Sequence, residues 1–166
     1  MSFDWNDYSS KLGNVVNTAA SASMPLRELN AVVTFASKKM LDASKSTVGL
    51  NRMLMDLMYP KKAGRSVMAQ IGFDADKFTK TGKIGLEDFL YILTNIERKD
   101  LQKVFPEIRG LRVATAMKND IKGVRNAYRE LGEETQNFQK DFEDMKQGWF
   151  FLKKVIIKIG ALKLSM

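Results

Sequence analysis

The residues of this chain that invite a chemical reading are its acids and lysines. Between Asp74 and Asp88 the run KFTKTGKIGLEDF has the cadence of a calcium-binding EF-hand loop. Gly82 would sit at the sharp turn, Ile84 two residues later, and an acid at the end. Ligand spacing argues against calcium. With the glycine fixed, the first ligand position falls on Lys77 and the third and fifth on Thr79 and Thr81, and a lysine repels a divalent cation. Starting the frame at Asp76 puts Phe78 and Lys80 at ligand positions instead. The stretch is therefore expected to be a Gly-punctuated turn ahead of a helix. Adjacent acids at Glu87-Asp88, Glu133-Glu134 and Glu143-Asp144 suggest acid/base pairs. Neighbours on a helix point about 100° apart, however, so a solvated helix face is the simpler reading. Arg109-Gly110 could contact a phosphate or simply allow close packing. The chain has no cysteine and no histidine, so it lacks a thiolate, a disulfide, and both the commonest general base and the commonest metal ligand. No catalytic, cofactor-binding or metal-ligating residue is expected, and neither is enzymatic activity.

The elements that would position these residues are helical. Trp5, Tyr8, Leu12, Val15 and Ala19 fall at helical spacing, so Trp5 and Tyr8 belong either to a packing face or to a ligand cage, with packing favoured; Gly13 and the AASAS run weaken the continuity of this helix. Pro25 suits a first turn, after which Leu26, Leu29, Val33, Ala36 and Met40 recur in steps of three and four. Leu50, Met53, Leu54, Leu57 and Met58 line one face of the next helix, and the short SKST link implies that the two form an antiparallel hairpin. Pro60 ends that helix and opens a segment finishing at Ile71-Gly72. Leu86, Phe89, Leu90, Leu93 and Ile96 mark a further helix. Leu101, Val104 and Phe105 form a short turn before Pro106, and helix resumes near Ile108 with Leu111, Ala114 and Met117. There the small Gly110 and Ala114 permit a close helix crossing. Asn119 or Asp120 caps a helix with Ile121, Val124, Tyr128 and Leu131 inward and Gly132 as its stop.

The order of these pieces, from STVGLNRMLMDLMYPKKAGRSVMAQIGFD to KVFPEIRGLRVATAMKN, resembles the helical core region of phage tail tape measure proteins. In that family a helix after a Thr/Gly turn leads to a proline and then to a short helix ending in Leu-Gly or Ile-Gly. An Asp-containing loop, another helix and a segment like Phe-x-x-Arg-Gly-x-x-Ala follow. The matching positions are Thr47, Gly49, Leu50, Leu54, Leu57, Pro60, Ile71, Gly72, Asp74, Phe105, Arg109, Gly110 and Ala114, and the likeness extends over about residues 10 to 166. It implies a virion structural protein whose copies occupy the tail tube after assembly in the bacterial cytoplasm, contacting tail tube and tail assembly proteins. It further implies that chain length sets tube length and that the protein leaves ahead of DNA at infection. A 166-residue chain is too short to span a tail, since even a continuous helix rises about 1.5 Å per residue. The resemblance thus points to a domain or a truncated remnant.

Beyond Gly132 the period changes. Phe138, Phe142, Met145, Trp149, Leu152, Ile156 and Ile159 step alternately by four and three, a heptad seam suited to self-association through a long carboxy-terminal helix or to packing on the same chain. The final stretch, WFFLKKVIIKIGALKLSM, carries four lysines and no acids. It is too interrupted to span a bilayer, yet Trp149, Phe150, Phe151, Lys153, Lys154 and Lys158 would suit an anionic membrane surface. A membrane-active basic helical module is accordingly the alternative to the tape-measure reading. The net charge of +8 also admits DNA, although the lysines are scattered instead of gathered in one arm. With a hydrophobic fraction of 45% the chain can bury a core. The expected fold is all-α: helical hairpins forming a core over 1–132, then a long amphipathic helix over 133–166.

Overall fold

Each helix boundary has a local cause. In the computed structural model, which describes residues 5–40 and 42–131 without the side chains of Trp5, Asp7, Tyr8 and Met40, the elements run in the following order. They are α1 (Trp5–Ser21), α2 (Leu26–Met40), α3 (Ala43–Met58), α4 (Lys62–Gln70), α5 (Lys77–Thr81), α6 (Leu86–Asn95), a 3-10 turn (Arg98–Asp100), α7 (Leu101–Val104), α8 (Ile108–Asn119) and α9 (Ile121–Glu130). Every regular element among the described residues is helical, so the fold is all-α. The long carboxy-terminal helix expected over 133–166, and Gly132 as the stop of α9, lie outside the described residues.

The capping residues set the frame. Asp42 accepts a hydrogen bond from the Lys45 amide at 2.9 Å, Glu107 from the amides of Arg109 and Gly110, and Asp120 from Gly123 at 2.9 Å. Each supplies an acceptor to a first turn that has no carbonyl partner of its own. Asp42 also changes the expected α2–α3 link. Helix starts at Ala43, so the SKST run, with Thr47 and Gly49 of the expected turn, lies inside α3. Similarly, α1 runs unbroken through Gly13 and stops only where Ser23 adopts a left-handed φ of 53°, letting the Met24 amide reach back to Ala19 O at 2.9 Å. Pro60 separates α3 from α4 as expected, and Gly72, at φ 78°, turns the chain after α4.

The core assembles around α3, which packs on α1, α2 and α8. Leu50, Met53, Leu54 and Leu57 are at most 1% exposed and Met58 is buried with them, so the apolar stripe read from spacing is the central layer. Its crossing with α8 is closed by missing side chains. A Cβ on Gly49 would stand 2.5 Å from Arg109 O, and one on Gly110 would stand 3.3 Å from Arg52 Cβ. Val113 lies against Gly49, while Glu107 at the start of α8 acts on Asp56 near the end of α3, so the two helices run antiparallel. Val113 is fully buried there with Ala114 and Met117, whereas Leu111 is only half-buried and Ile108 is exposed. The face of α8 is thus turned slightly from the one marked by its larger residues.

Polar links tie the outer helices down. Arg27 donates to Tyr128 O at 3.0 Å and lies 3.8 Å over the Tyr128 ring, while Lys39 pairs with Asp120 at 3.1 Å at the other end of α2. Hence α9 runs antiparallel along α2. Glu28 Oε1 accepts from the Leu86 amide at 2.7 Å, and the Ile84 amide donates to Ala22 O at 2.8 Å, joining the start of α6 to the α1–α2 corner. The Lys118 ammonium donates to Leu93 O at the end of α6. Gly64 lets α4 approach α7 so closely that a Cβ would lie 2.9 Å from Lys103 O.

Candidate functional site: the glycine crossing and the groove beside α6

Two places combine shape with charge. The first is an open groove of about 580 Å³ formed by the chain after α4, by α6 and by one turn of α9. Its floor is apolar, from Phe73 and Leu90, with Tyr91 standing beside Phe73 at 6.1 Å between ring centres. Tyr91 donates its hydroxyl to Ile71 O at 2.8 Å, which fixes the groove wall at the end of α4. Its charged lining is committed to internal partners. Lys77 pairs with Asp88, whose other oxygen accepts from the Gly85 amide at 2.8 Å, and Arg125 reaches Glu87 at 3.3 Å.

Residues 74–88 hold the Gly-punctuated turn expected ahead of a helix: Gly82, at φ 69°, turns the chain before α6, and α5 adds one helical turn ahead of it that the spacing did not mark. Lys80 pairs with Asp74 at 2.9 Å, and this hydrogen bond, with that from the Asp76 amide, holds the Asp74 carboxyl below its usual range. No group of acids able to hold a metal ion occurs among the described residues. Nor is Glu87-Asp88 a solvated pair. Glu87 is exposed, but Asp88 is 8% exposed because it caps α6 and receives Lys77. The two point apart, as neighbours on a helix must.

The second place is the α3–α8 crossing and the buried carboxyl two turns beyond Gly49. Asp56 is 7% exposed, and its Oδ2 has no hydrogen-bond partner. Burial pushes this carboxyl up to about 6; Arg52 and Lys61 draw it partly back, and Glu107 adds to the rise. Arg52 Nε, one turn earlier on α3, is also buried without an acceptor. Glu28 is the other raised carboxyl: burial lifts it against the Leu86 amide bond, and Asp88 and Glu87 add to the rise.

Some of the positions that carry the family resemblance fall at these two places. Gly49, Arg109 and Gly110 meet at the crossing, Ile71, Gly72 and Asp74 border the groove, and Leu50, Leu54, Leu57, Phe105 and Ala114 are buried in the core. Arg109 contributes its backbone to the crossing, while its guanidinium is bound to Glu107 at 2.6 Å. The packing role thus belongs to Gly110 and the Arg109 backbone, not to the Arg109 side chain. All seven seam residues (Phe138, Phe142, Met145, Trp149, Leu152, Ile156 and Ile159) and the membrane candidates Phe150, Phe151, Lys153, Lys154 and Lys158 lie outside the described residues, as do the side chains of Trp5 and Tyr8.

Sequence reasoning missed Asp56, Glu28, the Lys77–Asp88 pair and Arg125. For Asp56 a signal was present, since it falls three residues after Met53 on the stripe of buried positions. Glu28 and Leu86 are 58 residues apart, and no local spacing links them. Among the described residues, no helix is long and apolar enough to cross a membrane. Compared with models of protein families, with curated proteins and with solved structures, the chain finds no match in any of the three.

Proposed function

We propose that this chain is a structural segment of a phage or prophage tail tape measure protein, acting in tail assembly, tail-length determination and genome delivery. The reading rests on the family resemblance in residue order. The observation that best supports it is the use made of Gly49 and Gly110: these glycines, which carry part of the resemblance, close a helix crossing where a side chain would strike backbone or a neighbouring residue. A role in packing is what a structural protein asks of such positions. Of the charged residues at these two places, Lys77, Asp88, Arg109 and Glu107 are paired or capping. In this reading residues 133–166 supply self-association, and the tail tube and its assembly proteins are the partners.

The test is occurrence in the virion. Peptides of this chain should be recovered from purified tails of the phage or induced prophage that encodes it, and deleting its coding segment should abolish tails or change their length. Intact tails of unchanged length that lack the chain would reject the proposal. Light scattering addresses self-association: the full chain should be oligomeric, and a chain ending at Gly132 monomeric.

A further inference from the structure

One turn beyond Arg52 and Met53, which meet Gly110 at the α3–α8 crossing, α3 carries a carboxyl group that its surroundings do not satisfy. Asp56 is 7% exposed, one of its oxygens meets no donor, and Arg52 Nε on the preceding turn meets no acceptor. These two unpaired groups share one face of α3, four residues apart, yet do not bond to each other. The adjoining crossing leaves little room for them to adjust, because Gly49 and Gly110 already bring the helix backbones to their limit. The charged groups facing Asp56 are Arg52 on α3, Lys61 at the start of α4 and Glu107 at the start of α8.

We propose that the α3–α8 crossing is a proton-gated opening point of the core, with Asp56 as the gate. Protonated, Asp56 is a small neutral group that the closed crossing tolerates. Ionised, it is a buried charge with one bare oxygen, and parting α8 from α3 relieves it by admitting water and letting the Arg52 guanidinium turn onto it. The helices then separate more readily at neutral pH than in mild acid, through opening of one interface and not of the whole core. The inference concerns a conformational property and holds whatever the biological role of the chain.

Amide hydrogen exchange on the full chain at pH 5 and pH 7.5, with the intrinsic pH dependence of exchange subtracted, tests this. For a carboxyl that titrates near 6 when the crossing is closed and near 3.8 when it is open, α3 and α8 amides should lose about tenfold in protection between the two pH values. Amides of α6 should lose less. Asp56→Asn should remove the loss in α3 and α8, whereas Glu28→Gln, which alters the other raised carboxyl, should leave it in place. A loss of equal size in Asp56→Asn, or one spread evenly over all helices, would overturn the proposal. If Asp56→Asn does not fold, carbon-detected NMR titration of the Asp56 carboxyl in the unaltered chain decides: a midpoint near 6 supports the gate, and one below about 4.5 sinks it.

Discussion

Asp56 and Asp88 illustrate how little residue type says about role. Both are buried acids on helices that face the core, at 7% and 8% exposure. Asp88 has the Gly85 amide on one oxygen and Lys77 on the other, so its charge is compensated and useful. Asp56 lacks a partner on one oxygen, and burial dominates its behaviour. Asp56→Asn should therefore stabilise the protein at pH 7.5, by about 1–2 kcal/mol, since a neutral amide of the same shape replaces an incompletely solvated charge. Urea denaturation at pH 7.5 and pH 5 checks this. The gain should shrink at pH 5, where the native carboxyl is already mostly protonated, and equal effects at the two pH values would contradict the assignment.

Among the helices, glycine position separates packing from mere tolerance. Gly49 stands where a methyl group would strike Arg109 O and Val113, and a backbone oxygen cannot swing aside. Gly49→Ala should lower stability by about 1–3 kcal/mol through overpacking, despite alanine's better helix propensity. Gly13, inside α1, has nothing within 4 Å of the same methyl position. Gly13→Ala should raise stability by up to about 1 kcal/mol. Opposite shifts in melting temperature for the two substitutions would establish the difference, and a stabilising Gly49→Ala would refute the close crossing. At the end of α1, Ser23 occupies a left-handed conformation at φ 53° that disfavours side chains. Ser23→Gly should add about 0.5–1 kcal/mol, read by the same melting measurement.

For the molecule as a whole, two sets of carboxyls oppose one another as pH changes. Asp56 and Glu28 are raised in the folded state by burial. A raised acid holds its proton more tightly when folded, so its contribution is fully present below its unfolded value and is lost as pH rises through its folded value, about 6 for Asp56. Asp120 is held below the carboxylate range by Lys39 and the Gly123 amide, and Asp74 by Lys80 and the Asp76 amide. For Glu107, burial works the other way but is outweighed by Arg109 and two backbone amides. These lowered acids stabilise the fold above their unfolded values, and that contribution disappears as pH falls through their folded ones. Stability should accordingly peak close to the unfolded carboxylate values, at about pH 4 to 4.5, and fall from there towards pH 7. Thermal melts from pH 3 to pH 8 would show the maximum there, and a maximum above pH 7 would mean that Asp56 and Glu28 are not raised.

The sequence by itself determined that the chain is helical and marked its longer helices, but not α5, the first turn of α3 or the buried face of α8. Periodicity marked Leu50 to Met58 and Leu86 to Ile96, proline placed the break at Pro60, and Asn119 or Asp120 announced α9, of which Asp120 is the cap, because capping, proline geometry and the 3.6-residue period are local effects. It determined equally that no thiol or imidazole chemistry is open to this chain. Only the tertiary structure decided which small residues close a crossing, which acids are capped and which is left bare, and that Phe73, Tyr91 and Arg125 border one groove. Gly49 looked like part of a turn until α8 came against it, and Asp56 looked like any polar helical residue. Gly49 acquires its role from a helix some sixty residues away in the chain, and a contact at that separation leaves no periodic trace in the sequence around either partner.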